Sequence, residues 1–442
     1  MPNKIALISL GCAKNLVNSE QMLALLDEAG YELVGNPDGA DVAIVNTCGF
    51  IESAKQEAID EIIALGNLKE EGRLGKIVVT GCLAERYKTE LSELMPEIDA
   101  LVGTGSYGDI AEAVRESLGG KFSVFFGDIN AAEPETGRII STGPAWAYVK
   151  IAEGCSNCCA YCVIPSLRGR YRSRPMDRIL EEAELLASSD VRELIIVAQD
   201  ITRYGEDIYG RRCLNELLSK LCGVAGIKWI RLHYLYPDEL DGELIETIAR
   251  EDKILKYIDM PIQHINDGIL MRMNRRGSGA EIRALIAELR KRIPGVVLRT
   301  SIITGLPGEG EEEFSELCSF LREAKIERAG VFPYSPEEGT AAFYMERPDP
   351  ETAETRAEQI MELQSRIMDE FNKSREGKVV SVLCEGCDEE TGCPFGRSYA
   401  ESPEIDGCIR LDVGRPGEFY EVCLTGECDG DMLGEVIGGY EK

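Results

Sequence analysis

The chain has 442 residues, 44% of them hydrophobic, with 16 cysteines, 2 histidines and a formal net charge of −30 at pH 7. That length exceeds one ordinary hydrophobic core, so two or three domains are expected, and no 18-residue apolar run is present to span a membrane. The acidity opposes a surface that tracks nucleic-acid phosphates and favours a basic protein partner, although plain solubility would also account for it.

The opening "MPNKIALISLGCAKN" holds an apolar stretch too brief for a signal-peptide core and reads as a first strand. A cytoplasmic location follows as the expectation, and thiols stay reduced there. The cysteines are then ligands, catalytic groups or inert buried residues rather than disulfides. Strands at "IALISLGC" (5–12), "DVAIVNTCG" (41–49), "KIVVTGC" (76–82) and "IDALVGTG" (98–105) alternate with helical patterns such as "SEQMLALLDEAG" and "ESAKQEAIDEIIALG". Such alternation predicts a parallel α/β sheet over residues 1–120. Cys12, Cys48 and Cys82 each fall at the C-terminal end of one of these strands. Parallel sheets gather such ends on one edge, so the three thiols are expected to converge.

A Gly/Pro/Thr-rich stretch, "AAEPETGRIISTGPAW" (131–146), marks a joint, and the linker is placed at 121–140. From 141 to 372 the alternation resumes through "AYVKIAEGC", "ELIIVAQD", "KWIRLHYLYP", "KYIDMPIQH", "VVLRTSIITGLPGE" and "AGVFPYSPEEGT". Six βα units are enough for a closed or partly closed barrel, whose chemistry sits at the strand C-termini. A helix around 350–375 ends near "KSREGK". The short strands "KVVSVLCEG", "GCIRLDV" and "EFYEVCLTG" then predict a small antiparallel β-barrel over 375–442.

The densest thiols lie in "GCSNCCAYCVIPSLRGRYRSRP" (154–175). Zinc sites in reducing compartments use two close pairs, and no second CxxC follows Cys162 for over 200 residues. Three thiolates on a four-iron cubane leave one iron open to a substrate or cofactor. Spacing alone permits either Cys155, Cys158 and Cys162 or Cys155, Cys159 and Cys162.

"CSNCCAYC" contains CxxxCx(aromatic)C as Cys155, Cys159, Tyr161 and Cys162, and resembles the radical S-adenosylmethionine (SAM) signature. The resemblance favours Cys159 over Cys158 and implies a [4Fe-4S] cluster that cleaves SAM to a 5′-deoxyadenosyl radical. It also implies SAM contacts from Tyr161, Gln199, Gly305, Gly308 and Glu309, the last three in the Gly-rich turn "TGLPGE". "SLGCAKNLVNSE", "VNTCGFIESAKQE" and "TGCLAERY" resemble the N-terminal domain of methylthiotransferases, where three cysteines hold a second [4Fe-4S] cluster. That role would fall to Cys12, Cys48 and Cys82. "AQDITRYG" (198–205) and "GRSYAESPEIDG" (396–407) are closer to the RimO branch than to the tRNA-modifying branches. The resemblance covers essentially the whole chain. It implies a partial (β/α)6 radical SAM barrel followed by a TRAM domain. The implied reaction is methylthiolation of an aspartate β-carbon in ribosomal protein S-twelve, supplied with electrons by a flavodoxin or ferredoxin.

Residues 375–442 carry 6 Lys/Arg against 16 Asp/Glu, a net −10. A basic ribosomal protein fits such a surface; direct RNA binding, as in a tRNA methylthiotransferase, does not. Two features depart from the family pattern: Cys158, and the C-terminal set Cys384, Cys387, Cys393, Cys408, Cys423 and Cys428. These six read as inert small residues, with structural metal as the alternative. Arg168, Arg170, Arg172 and Arg174 either bind an anion or pair with carboxylates of the domain. His233 and His264 are expected to pack or hydrogen-bond rather than ligate. For the close thiols, Cys159→Ala is expected to abolish the iron and absorbance of the SAM cluster while Cys158→Ala leaves both intact; the reverse result in reconstituted protein would exchange the two ligands.

Overall fold

Short aliphatic runs between amphipathic helices build two separate parallel sheets. The computed structural model describes residues 2–441, and contacts divide the chain into two units. The first holds the chain up to Ser141 together with the segments Ala152–Ser173 and Ser335–Phe343. Its strands are β1 (Lys4–Ser9), β2 (Glu32–Val34), β3 (Val42–Thr47), β4 (Lys76–Gly81), β5 (Ala100–Val102) and β6 (Ser123–Phe125), in the order β2-β1-β3-β4-β5-β6 and all parallel. Helices α1 (Ala13–Glu28), α2 (Glu52–Glu70), α3 (Cys82–Leu94) and α4 (Ile110–Leu118) connect them.

Alternation along the strands feeds two cores. Ile5, Val42, Ile44 and Val78 face Met22, Leu26 and Val114 from α1 and α4. Ala6, Ala43, Val45 and Val79 face Ala58, Ile62 and Leu83 from α2 and α3. Covered on both faces, every residue of β3 is buried, as parallel sheets require. The sequence showed about four strands here. The two extra ones, β2 and β6, are edge strands of three residues whose partly exposed side chains form no apolar run, unlike the equally short but fully buried β5. β6 also lies within the predicted linker, and the chain at the end of that segment is tied to α1. The amide of Ser141 donates to Glu20 Oε1 (2.7 Å) and that of Ile139 to the Glu20 carbonyl (3.1 Å).

In the second unit, strands Trp146–Lys150, Glu193–Val197, Trp229–Leu232, Ile254–Asp259, Val297–Thr304 and Arg328–Pro333 pair in chain order, all parallel. The sheet remains open, which makes it a partial barrel. A 24-residue helix, Pro350–Lys373, capped by Asp349 on the amide of Thr352 (2.9 Å), leads to a closed five-stranded barrel. Its strands are Val379–Cys387, Pro394–Arg397, Ile409–Leu411, Phe419–Cys428 and Asp431–Glu441. One pairing, Ile409–Leu411 with Asp431–Glu441, is parallel rather than antiparallel. Five strands that alternate in direction cannot close a ring without one such pair.

Between two strands of this barrel, residues 397–406 enter a set of buried charges. Arg231, fully buried, donates to Glu193 Oε1 (2.7 Å) and to the carbonyls of Tyr399 (2.9 Å) and Ser398 (3.2 Å). Arg397 reaches Glu193 Oε2 (2.8 Å), Tyr257 donates to Asp406 (2.7 Å), and the Ser402 hydroxyl meets His233 Nε2 (2.8 Å). Glu401 accepts from Arg328, Arg375 and Ser398. Burial alone would raise the Glu401 carboxyl, but Arg375 and Arg328 outweigh it and hold the pKa at about 2, against 4.5 for the unperturbed group. A lowered folded-state pKa stabilises the fold above the unfolded value and loses that contribution as pH falls. Acid titration of the denaturation midpoint should therefore show about 3 kcal/mol fading between about pH 5 and pH 2. Glu401→Gln should flatten that slope at the cost of stability at neutral pH.

Candidate metal centre

Cys12 is the residue just before α1, Cys48 lies in the loop between β3 and α2, and Cys82 opens α3 directly after β4. β1, β3 and β4 are adjacent and parallel, so their outgoing loops are neighbours on one sheet edge. The strand order reverses between β1 and β3, and the crevice at such a point is where open α/β sheets place ligands.

Glycine lets the three loops close up. A Cβ on Gly11, whose φ is +90°, would lie 2.7 Å from Cys48 Cβ. One on Gly49 would lie 2.9 Å from the Cys82 carbonyl, and one on Gly81, at φ +93°, 2.5 Å from Thr47 O. The thiols feel each other electrostatically. Burial, then Cys82 and Cys12, push Cys48 up to about 12. Burial also raises Cys82 despite the opposing charge of Arg168. Cys12 alone is lowered: burial works against its ionisation, but the charges of Lys14 and Arg168 and the first-turn amides of Asn15 and Lys14 prevail. The expected convergence of the three thiols is what the fold produces.

The second thiol set belongs to the same unit. Strands Ala152–Glu153 and Arg172–Ser173 pair antiparallel and close a loop around residues 154–171. The amide of Cys155 donates to Gly169 O (3.1 Å), that of Cys162 to Cys159 O (3.0 Å), and that of Asn157 to Cys155 Sγ (3.5 Å). Cys159 and Tyr161 are buried, Cys155 and Cys162 are half-buried, and Cys158 is exposed in a left-handed conformation at φ +53°. Val163 and Leu167, just beyond Cys162, pack on Cys82 and Phe50. The segment Ser335–Phe343 adds a further tie, as the amide of Ala342 donates to Ala160 O (2.8 Å). Its Glu337 receives Lys55 (3.2 Å) and Arg86 (2.5 Å), while Arg86 also holds Gly49 O (2.9 Å).

Arg168 lies at the meeting of these parts, 2% exposed. Its Nε donates to Cys82 Sγ (3.3 Å), Nη1 to Glu153 Oε2 (2.9 Å) and Asn18 Oδ1 (3.2 Å), and Nη2 to Asn15 Oδ1 (2.8 Å). Asn15 in turn ties back the carbonyls of Leu10, Asn46 and Thr47. Sequence reasoning missed Glu153, Asn15 and Asn18. A signal existed in the two asparagines spaced i, i+3 on the face of α1 that should be apolar. A cavity of about 200 Å³ lies alongside, lined in part by Asn18, Tyr107, Glu133 and Arg172, and the Tyr107 hydroxyl is buried there without a hydrogen-bond partner.

The four arginines part ways. Arg168 and Arg174 pair with carboxylates, Glu153 and Glu182 (2.6 Å), Arg172 donates to the carbonyls of Arg168 and Arg170, and Arg170 is exposed. The other expected SAM contacts stand in the second unit. Gln199 follows the strand Glu193–Val197 and is half-buried. Gly305 and Gly308 adopt φ +73° and +87°, with Ala353 and Arg272 where a Cβ would go. Glu309 is buried and closes its own turn, accepting from Gly305 N (2.9 Å) and Arg356 (2.9 Å) and lying 3.4 Å from His264 Nε2. His233 and His264 are both buried and hydrogen-bonded. Of the C-terminal cysteines, Cys384 packs in the small barrel's core, as an inert residue would. Cys387, Cys393 and Cys428 are exposed, in or beside the hairpin ends.

Among the described residues no set of three or more His, Cys, Asp or Glu side chains is poised around a single metal ion. A cubane suits the donors better. It takes thiolates on separate irons, and hydrogen bonds to its sulfurs are part of how proteins tune it. Cys12, Cys48 and Cys82 offer thiols with no fourth beside them, Arg168 supplies an N–H to Cys82, and Gly11, Gly49 and Gly81 leave the clearance, while in the second set the fourth thiol, Cys158, is turned out to solvent.

Residues 4–103 match the uncharacterized protein family UPF0004, residues 149–321 the radical SAM superfamily and residues 377–437 the TRAM domain. A solved radical SAM methyltransferase from Kitasatospora setae, TsrM, is 14% identical and superposes with a TM-score of 0.57 over 78% of this chain and 77% of its own, a likeness of fold. The ribosomal protein uS12 methylthiotransferase RimO of Thermoanaerobacter sp. (strain X514) is 46% identical over 98% of this chain and 99% of its own length. That of Pelotomaculum thermopropionicum is 49% identical over the same shares. With whole-length likeness and three domain matches in order, this chain belongs to the RimO family of radical SAM methylthiotransferases.

Proposed function

We propose that the protein transfers a methylthio group to the β-carbon of an aspartate in ribosomal protein uS12, as the names of its relatives indicate for that substrate. Cys12, Cys48 and Cys82 would hold one [4Fe-4S] cluster, and Cys155, Cys159 and Cys162 a second whose open iron takes SAM. When bound, these groups supply the methylthio group and the one-electron chemistry. The observation that carries the reading is the presence of two thiol triads in a single folded unit, joined through Arg168 and the Cys82–Val163–Leu167 contact.

The chain's own part is to hold and orient. Loops built on Gly11, Gly49 and Gly81 fix the first triad, and the pairing of Ala152–Glu153 with Arg172–Ser173 fixes the second. Tyr161, buried and next in the chain to Cys162, would bring its backbone near the adenine of SAM, as its place in the CxxxCx(aromatic)C motif implies. Gln199, Gly305, Gly308 and Glu309 remain the proposed SAM-side residues of the barrel, Glu309 by shaping the turn. The acidic C-terminal barrel, net −10 over 375–442, would dock a basic ribosomal protein rather than RNA. A flavodoxin or ferredoxin would supply electrons, and the cytoplasm would be the compartment. Among the described residues no helix is long and apolar enough to cross a membrane.

Anaerobic reconstitution with SAM and dithionite should yield 5′-deoxyadenosine, and mass spectrometry should find a methylthio adduct on an aspartate of uS12. An adduct on tRNA instead would reassign the substrate. Cys82→Ala should keep 5′-deoxyadenosine formation and drop the adduct to background, whereas Cys159→Ala should lose both.

A further inference from the structure

A guanidinium buried at 2% exposure is costly unless each of its donors is used, and a positive charge beside metal-bound sulfur changes what the metal can accept. We propose that Arg168 is a positioning residue that sets the reduction potential of the cluster on Cys12, Cys48 and Cys82, with Glu153 as its counterweight; this rests on the two-cluster reading above. Arg168 touches one thiol of the first triad, Sγ of Cys82 at 3.3 Å, and is six residues along the chain from Cys162 of the second. Three of its other four N–H groups are taken, by Glu153 at 2.9 Å, Asn15 at 2.8 Å and Asn18 at 3.2 Å. The planar fork therefore has one orientation, fixed on both sides of the cysteine it serves.

The sign follows from charge. Reducing the cluster adds one negative charge near Cys82. The Arg168 cation and its N–H favour that state and raise the potential, while the Glu153 carboxylate disfavours it and lowers the potential. Removing either partner should thus shift the couple in opposite directions, which loosening of the fold would not do.

The test isolates the first cluster. In full-length protein carrying Cys155→Ala, Cys159→Ala and Cys162→Ala, the remaining iron is quantified and its one-electron couple titrated with dithionite, followed by electron paramagnetic resonance. Adding Arg168→Gln should move the midpoint to more negative potential, Arg168→Lys should move it less, and Glu153→Gln should move it to more positive potential. If Arg168→Gln fails to hold iron, the milder Glu153→Gln still decides the matter by its positive shift. Shifts of the same sign in the Arg168 and Glu153 variants, or an unmoved midpoint with full iron content, would overturn the proposal. A parent protein that binds no iron at Cys12, Cys48 and Cys82 would instead overturn the cluster reading on which it rests.

Discussion

In a parallel sheet every strand leaves on the same edge, and this constraint organises the first unit. Three consecutive positions in the order β1-β3-β4 send out three loops side by side, and each carries one cysteine. The loops can meet only because a glycine stands next to each thiol, at Gly11, Gly49 and Gly81. A side chain at any of these would collide with a neighbouring loop's backbone or cysteine. The chemistry of the site is thus bought with backbone, not with unusual side chains.

Buried charge serves different ends in the two units. In the second unit Glu193 holds Arg231 and Arg397, and Glu401 holds Arg328 and Arg375, so that residues 397–406 are locked by ion pairs out of water. Such pairs add little net stability over an apolar packing, but each partner makes the others indispensable and admits one arrangement. In the first unit the same kind of pair, Arg168 with Glu153, has a thiol on its remaining face. There the charge has something to act on besides its counter-ion.

Net charge has a consequence at longer range. The chain carries −30 overall, yet among the described residues the buried acidic and basic side chains nearly balance, so the surplus acid is mainly on the surface. An acidic face steers and retains a basic protein and repels a phosphate backbone, with both effects weakening as salt rises.

Much of this was legible in the sequence because it depends on period and spacing. The alternating strands and helices and the thiols at strand ends are local features, and they declared the parallel sheets, the meeting of Cys12, Cys48 and Cys82 on one edge and the small C-terminal barrel. Edge strands such as β2 and β6 were silent, since their partly exposed residues form no apolar run, whereas the equally short but buried β5 was legible. The fate of "RGRYRSRP" was silent too. Alternate spacing put four arginines on equal terms, yet one is buried against Cys82, one is exposed, and two hold backbone carbonyls, Arg174 with Glu182 as well. By itself the sequence determined which residue types are present and at what intervals along the chain. Only the tertiary structure decided which of them share a dielectric and a distance, because Arg168, Glu153, Asn15 and Cys82 are far apart in the chain and meet solely through the packing of β1, β3, β4 and the cysteine loop.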